Sequence, residues 1–364
     1  MINILSDHQI FDMQRFGGIS RYFANIYHHL KTDKNYSNEL SILKTSNYYL
    51  EEDTFSANPI VQLFLKKQRK QAKFNRKYSL KKVSGNRFDL FHPTYYDPYF
   101  LGALKKPFVL TVHDMIHEIY PIYFASFDQF ARYKRETIQR ADHIIAISET
   151  TKQDLQHFFP IPDEKITVVY HGVDIKKKQD QPLLENIDFP YILYIGDRSG
   201  YKNFYTMATA FKEISNSYKD VQLVCTGSPF NSVETEFLIR SGISEKVVHI
   251  SATDTDLQSL YQHAVFYINP SLLEGFGFPI LEAYENECMV LLSDTSCFHE
   301  IAGEAAMYFD PNSVQDISSC MSKAIDDLSV KKKLIGKGKD QLLKFPLQKS
   351  MQETINVYSK ILNR

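Results

Sequence analysis

The chain has 364 residues, of which 43% are hydrophobic and 23% are charged. Because single cores rarely grow beyond about 250–300 residues, this length predicts two domains. The 42 basic and 43 acidic residues nearly balance and there are only four cysteines, which argues against nucleic acid as a partner and against a secreted disulfide scaffold. No apolar run reaches the roughly 20 residues that span a bilayer, and Asp7 and Asp12 interrupt the apolar core that an N-terminal signal peptide would need. Composition therefore favours a cytoplasmic globular protein.

Short apolar runs alternate with longer amphipathic stretches, which predicts an α/β chain with parallel sheets. The predicted strands are 2–6, 90–92, 108–112, 144–147 and 167–170, and then 191–195, 222–225, 247–250, 264–268 and 290–293. The polar segment from Lys176 to Asp188 separates the two sets, so few buried contacts should cross it. We therefore expect two Rossmann-like domains, residues 1–175 and 176–345, followed by a C-terminal segment, 346–364.

Two glycines, Gly17 and Gly18, follow the first predicted strand and precede apolar residues at helical spacing. Since backbone N–H groups are exposed at a helix N-terminus, this position could bind an anion or an acceptor. The dinucleotide fingerprint G-x-G-x-x-G is absent, which argues against an NAD dehydrogenase.

A strongly basic segment runs from Lys66 to Lys82, with nine basic residues and no acidic one. It predicts either a basic amphipathic helix on an anionic membrane surface or simply a solvated helix or loop. The sequence leaves both open.

Polar residues follow two of the predicted strands. His113 comes directly after strand 108–112, and Arg198 and Lys202 lie in the loop after strand 191–195. The carboxyl edge of an open sheet is where such loops bind ligands, and cations there would neutralise charge on a departing diphosphate. The alternatives are a structural histidine and an ordinary exposed turn.

The stretch PSLLEGFGFPILEA, residues 270–283, has the most specific pattern. Glu274 and Glu282 are separated by seven residues, Gly275 and Gly277 permit a tight turn, and Pro279 suits the first turn of a helix. A helix N-terminus binds phosphate, and a carboxylate one turn further on can accept hydrogen bonds from ribose hydroxyls. The alternative is a glycine-rich turn whose glutamates only cap the helix.

Another acidic pair, Asp254 and Asp256, superficially resembles a metal-binding D-x-D motif. We interpret it as a helix cap, because acidic side chains favour helix N-termini.

Together these elements resemble a family 4 glycosyltransferase of the GT-B fold over nearly the whole chain. The Glu, seven residues, Glu motif in an E-G-F-G-x-P context carries the resemblance, supported by ADHIIAISE at 141–149, HGVD at 171–174 and EIAG at 300–303. The chain departs from the family pattern at Tyr201, which precedes Lys202, and at Glu287 and Met289, where many members have Gly and Pro. The first departure indicates that Arg198 is offset from the site that the family pattern gives to its arginine.

The resemblance implies two domains facing each other across a cleft, with a last helix near 350–362 crossing back to the N-terminal domain. It implies that Glu282 binds the donor ribose, that Glu274 contacts the donor sugar, and that the loop cations hold the diphosphate. The donor site would be completed by these residues: Arg198, Lys202, Phe276, Gly277 and Phe278, with Gly17, Gly18 and His113 facing them. The family retains anomeric configuration, with the leaving phosphate oxygen taking the acceptor proton. No protein nucleophile, metal or further cofactor is then expected.

The expected activity is transfer of a hexose from a nucleotide-sugar to a glycan acceptor. Resemblance to mannosyltransferases of bacterial surface-polysaccharide and lipopolysaccharide synthesis suggests mannose from GDP-mannose first, a UDP-sugar second, and a lipid-linked oligosaccharide acceptor. Two alternatives remain: a sugar-nucleotide epimerase of the same architecture and a catalytically silent sugar-nucleotide binding protein.

Overall fold

The computed structural model describes residues 1–50, 68–125, 129–175, 178–185 and 187–362. The chain folds into two compact units. The first comprises residues 1–119, 124–171 and 348–364, and the second comprises 120–123 and 172–347. The chain therefore passes from the first unit to the second inside the HGVD stretch, and returns to the first at its C-terminal helix.

The first unit is built on parallel strands in the order β2-β1-β3 and β4-β5-β6, and a parallel bridge between Phe91 and Phe108 connects β3 to the start of β4. Its strands are β1 (Ile2–Ser6), β2 (Tyr36–Leu40), β3 (Leu90–His92), β4 (Val109–Val112), β5 (His143–Ala146) and β6 (Ile166–Val168). Its helices are α1 (Gln9–Met13), α2 (Gly18–Thr32), α3 (Gln68–Gly85), α4 (Ile116–Ile119), α5 (Phe130–Arg140), α6 (Glu149–Phe158) and, from the end of the chain, α14 (Leu347–Ile361).

The second unit has one six-stranded parallel sheet in the order β12-β11-β10-β7-β8-β9. Its strands are β7 (Tyr191–Tyr194), β8 (Gln222–Cys225), β9 (Val247–His249), β10 (Phe266–Asn269), β11 (Val290–Ser293) and β12 (Met307–Phe309). Its helices are α7 (Phe204–Ile214), α8 (Ser232–Ser241), α9 (Asp254–His263), α10 (Phe278–Glu285), α11 (Ser296–Ala302), α12 (Val314–Asp326) and α13 (Leu328–Leu342). Apolar residues of the central strands, such as Ile192, Leu223 and Leu291, are fully buried against α7 and α12 in its core.

The predicted α/β class is confirmed: every strand pair among the described residues is parallel, and the ten predicted strands are present with ends displaced by at most two residues. The sequence did not indicate β2 or β12, which are the edge strands of their sheets. Among the described residues, no helix combines the length and hydropathy needed to cross a membrane.

The last helix, α14, packs on the first unit, as the resemblance implied. The Tyr358 hydroxyl lies 2.7 Å from His92 Nδ1, and Tyr36 Oη lies 2.6 Å from Ser359 Oγ. The return of the chain is therefore fixed by a buried polar contact to β3 and a partly buried one to β2.

The basic segment forms most of α3, although Lys66 and Lys67 lie outside the described residues. Gln71, Asn75, Ser79 and Val83 recur every four residues and face inward, all nearly or fully buried. The Asn75 amide donates to Asp12 Oδ1 over 2.8 Å, which anchors the helix. The inward face is thus largely polar, and the lysines are left on the outer face.

Candidate functional site

In the sheet of the second unit, the order in which successive strands are added reverses between β7 and β10. Strands β8 and β9 follow on one side of β7, whereas β11 and β12 follow on the other side of β10. At such a switch point the loops leaving the two central strands separate and open a crevice at the carboxyl edge, which is where open α/β sheets bind ligands. The two most informative sequence motifs, residues 196–203 and 270–277, are these two loops.

An ion pair joins the two loops. Lys202 Nζ lies 2.6 Å from Glu274 Oε1, and the Ser271 hydroxyl donates to the same oxygen over 2.7 Å. Although burial lowers the pKa of Lys202, the Glu274 carboxylate raises it more, so that pKa lies well above its ordinary value. Lys202 is therefore held as a cation at the switch point, where it can meet an anionic ligand.

The second loop leads into α10 at Gly277, whose φ of 99° places it in the left-handed region. A Cβ added there would also lie 2.9 Å from Ile280 Cδ1, so the turn requires glycine on both counts. Phe276 is buried and stacks edge-on against Phe278, with ring centroids 5.8 Å apart. The predicted glycine turn, helix start and Pro279 in the first turn are all present.

Glu282 lies in α10, about one turn beyond the helix start. The Tyr261 hydroxyl donates to Glu282 Oε2 over 3.2 Å and to the Pro279 carbonyl over 3.1 Å. Tyr261 is fully buried, so it fixes the carboxylate on this side of the helix. Its partner comes from α9, which the local motif could not reveal.

Arg198 differs from Lys202 in its surroundings. Its side chain is buried, with Nε 3.2 Å from Glu234 Oε1, and Nη2 donates to the Ser228 carbonyl over 2.5 Å. The guanidinium also lies 4.6 Å from the centre of the Phe230 ring. Nε and Nη1 have no hydrogen-bond partner among the described residues, although Nε lies within ion-pair distance of Glu234. The structure thus groups Lys202 with Glu274 and places Arg198 in a separate ion pair with a residue of α8.

In the first unit, Gly17 is the N-cap of α2 and Gly18 its first residue, as the sequence indicated. The Gln14 side chain accepts a hydrogen bond from the Ser20 N–H over 3.1 Å and would collide with any Cβ at position 17. Glycine is needed there so that Gln14 can fold over the helix end.

His113 lies at the carboxyl end of β4 and is 5% exposed. Its backbone N–H donates to the Tyr96 hydroxyl over 3.0 Å, whereas neither ring nitrogen has a hydrogen-bond partner among the described residues. Its ring stacks on His171 with centroids 5.9 Å apart and meets Tyr22 and Phe23 edge-on. Burial lowers the pKa of His113 to about 4, so the ring is neutral near pH 7. A neutral imidazole with two open nitrogens can both donate to and accept from a hydroxyl-rich ligand.

Asp254 and Asp256 lie in the first turn of a helix, and Asp256 takes part in its cap, as interpreted from the sequence. Thr253 is the N-cap of α9, and Asp256 accepts from its backbone N–H over 2.9 Å, which closes a capping box. Within the described ranges, no group of three or more His, Cys, Asp or Glu side chains is arranged to hold a metal ion.

Two family models match the chain one after the other. Residues 16–177 match Glycosyltransferase Family 4 and residues 175–341 match Glycosyl transferases group 1. The chain is 28% identical to the O-antigen chain mannosyltransferase RfbU of Salmonella typhimurium over 60% of its own length and 61% of that protein. It is 25% identical to the Escherichia coli O-antigen chain mannosyltransferase B over 74% of each chain. The match to RfbU thus spans less than two thirds of that protein.

Solved structures share the fold over almost the entire chain. HepE from Anabaena, in complex with UDP and glucose, aligns with a TM-score of 0.75 at 16% identity, covering 99% of both chains. WaaG, a glycosyltransferase involved in lipopolysaccharide biosynthesis, aligns with a TM-score of 0.69 at 13% identity, covering 98% of this chain and 99% of WaaG. At these identities the likeness shows a common fold.

Proposed function

Because the chain belongs to the family 4 glycosyltransferases and has their GT-B fold, we propose that it transfers mannose from GDP-mannose to a lipid-linked oligosaccharide. Transfer retains the anomeric configuration. The names of two relatives, both O-antigen chain mannosyltransferases, support mannose as the sugar and a bacterial surface polysaccharide as the product. A UDP-sugar is the next donor to test, since HepE was solved with UDP and glucose.

The observation that carries the proposal is the position of the two loops at the switch point of the second sheet. Lys202 supplies a fixed positive charge there, and the N-terminus of α10 supplies backbone N–H groups at Gly277 and Phe278. Glu282 lies about one turn further along α10, and in this proposal its carboxylate binds the ribose hydroxyls. A nucleoside diphosphate matches this order of anion site and hydroxyl site.

Glu274 serves to hold the donor rather than to attack it. Its Oε1 already accepts from Lys202 and Ser271, so Glu274 orients the lysine and presents its other oxygen to the sugar. In front-face transfer the leaving phosphate oxygen takes the acceptor proton, and the charge that develops on the diphosphate is stabilised by Lys202. This arrangement needs no metal and no covalent sugar–protein intermediate. Arg198 contributes through Nη1 while Glu234 holds the remainder of its guanidinium.

The first unit binds the acceptor in this proposal, with Gly17 and Gly18 at the start of α2 and His113 contacting the transferred sugar. Support comes from the two unpartnered, buried nitrogens of His113, because buried polar atoms normally have partners. A sugar hydroxyl would satisfy one of them.

We place the enzyme in the cytoplasm, peripherally on the inner face of the membrane. Support comes from α3, whose exposed residues include Lys73, Lys77 and Lys81, together with the partly exposed Phe74 and Leu80. Lysines near an anionic surface each contribute about 1 kcal/mol of attraction. Such a contact would bring the enzyme to a lipid-linked acceptor.

A thermal-shift screen followed by product analysis tests the function. A ligand that binds only the folded state raises the melting temperature, so GDP and GDP-mannose should raise it more than UDP and UDP-sugars. With acceptor, the product should gain one hexose of retained configuration. Donor alone should yield no new sugar epimer, and rapid epimer formation without acceptor would refute transfer. Tight nucleotide binding with no turnover on any lipid-linked acceptor would instead indicate a silent binding protein.

A further inference from the structure

A short segment, Tyr120–Tyr123, belongs to the second unit, although the chain on either side of it belongs to the first. We call it the tyrosine strap. Residues Pro121–Tyr123 form one turn of 3-10 helix, and Tyr123 remains 44% exposed. Because the residues before and after the strap belong to the first unit, a specific contact must hold the strap in the second unit.

That contact is the Tyr123 ring lying on Gly200. A Cβ added to Gly200 would overlap Cδ1 of Tyr123 and lie 2.6 Å from its Cε1. Gly200 is not among the glycines with positive φ, so its backbone conformation is open to any residue. The contact with the tyrosine ring therefore requires glycine at position 200, because the ring occupies the space of a side chain, and not because of backbone strain.

Gly200 begins the short helical turn Gly200–Lys202, which presents the Lys202 cation. The turn is held from several sides. The Leu272 N–H donates to the Tyr201 carbonyl over 2.8 Å, and the Asn203 N–H donates to the Gly200 carbonyl over 3.0 Å. The Asn203 side chain donates to the Pro311 carbonyl over 2.7 Å. The Tyr123 ring covers the Gly200 side of this turn.

We propose that Tyr123 is a positioning residue for transfer, which fixes the Gly200–Lys202 turn so that the Lys202 ammonium is already placed for the donor diphosphate. The inference rests on the proposed function. A preorganised cation stabilises developing charge without reorganising during the reaction, and displacement of such a group by about 1 Å can lower the rate by as much as about 10²-fold. Tyr123 touches no reacting atom, and acts only through the turn.

A double-mutant cycle between positions 123 and 200 tests the contact. Tyr123→Ala removes the ring, and Gly200→Ala expels it, so each should weaken nucleotide affinity about fivefold and lower kcat about tenfold, less than loss of the lysine itself. Because both changes destroy the same contact, the double variant should be no worse than either single variant. Tyr123→Phe keeps the ring and should match the wild type.

Two results would overturn the inference. One is Tyr123→Ala with wild-type affinity and kcat. The other is a double variant whose loss equals the product of the single losses, since independent effects multiply. A merely structural role would lower the melting temperature without changing affinity or kcat, and that outcome also counts against positioning. Tyr123 is partly exposed, so all four proteins should fold.

The chain contains no tryptophan, so a single introduced tryptophan is the only one that emits. Its fluorescence can report nucleotide binding without any acceptor. Tyr123→Trp should report nucleotide binding by a change in emission on adding GDP or UDP. Tyr218→Trp is the matched control: Tyr218 precedes β8 and so lies at the amino ends of the parallel strands, away from the switch-point loops at their carboxyl ends, and its emission should stay constant. If the Tyr123→Trp protein transfers sugar but its emission does not respond to nucleotide, the positioning role of Tyr123 is refuted and the proposed function is not. A wild-type protein that binds no nucleotide would refute the proposed function instead.

Discussion

Lys202→Met removes the cation at the switch point and keeps most of the side chain's length. The Lys202 and Glu274 side chains are 23% and 14% exposed, with the charged atoms 2.6 Å apart. Exposed pairs contribute about 0.2–1 kcal/mol, and breaking a buried pair costs about 3–5 kcal/mol, so we expect a loss of about 1–3 kcal/mol in unfolding free energy. That is a minor part of a typical stability of about 5–15 kcal/mol, and the variant should fold.

The effect on catalysis should be larger than the effect on stability. Removal of one preorganised group that faces developing charge lowers kcat by about 10²–10³-fold. Steady-state kinetics with the donor and thermal denaturation measure the two quantities separately. Lys202→Met combined with Glu274→Gln should recover stability, because no unpaired carboxylate remains, but should not recover kcat.

Lys212→Met, on the exposed face of α7, is the matched control and should leave both quantities unchanged. A folded Lys202→Met enzyme with kcat within about twofold of the wild type would refute the assigned role, since the expected loss is far larger.

The remaining predictions concern the ribose carboxylate, the buried histidines and the basic helix. Glu282→Gln should weaken GDP binding about tenfold in calorimetry, because hydrogen bonds to a charged group contribute about 1.5–3 kcal/mol, whereas Glu285→Gln on the same helix should not. Burial lowers the pKa of His113 to about 4 and of His92 to about 3, both from 6.5; below pH 6.5 the unfolded chain therefore binds more protons, and stability should fall progressively as pH drops towards 4. His113→Asn should make stability depend less steeply on pH in melting curves recorded from pH 7.5 to 4.5. An unchanged dependence would contradict the lowered pKa of His113. Replacing Lys73, Lys77 and Lys81 by Gln should reduce binding to anionic vesicles in a salt-dependent way. The equivalent triple change of Lys323, Lys332 and Lys333 in the second unit is the control, and equal loss in both triples would exclude a specific role for α3.

The central parallel strands could be predicted from sequence because strands buried on both faces are continuous apolar runs. Tyr191–Tyr194 and Val290–Ser293 are buried at every position. The strand Tyr36–Leu40 was missed since only its two end residues are buried and Ser37, Asn38 and Glu39 lie between them. An edge strand needs only one neighbour, so its sequence is less constrained.

The local motifs predicted which residues lie in the loops but not how the loops are brought together. Sheet order arises from strand pairing, so nothing in the sequence placed the loops after β7 and β10 at a switch point. Likewise, the sequence assigned both Arg198 and Lys202 to the diphosphate, although the departure at Tyr201 already set Arg198 apart. The structure separates them because the partner of Arg198, Glu234, lies on α8, well beyond any local pattern.

A crystal structure of the protein with bound GDP tests the central claim most directly. We predict the diphosphate between the Gly200–Lys202 turn and the N-terminus of α10, with a phosphate oxygen within hydrogen-bond distance of Lys202 Nζ and the ribose hydroxyls on Glu282. A diphosphate bound away from the carboxyl ends of β7 and β10 would contradict the account.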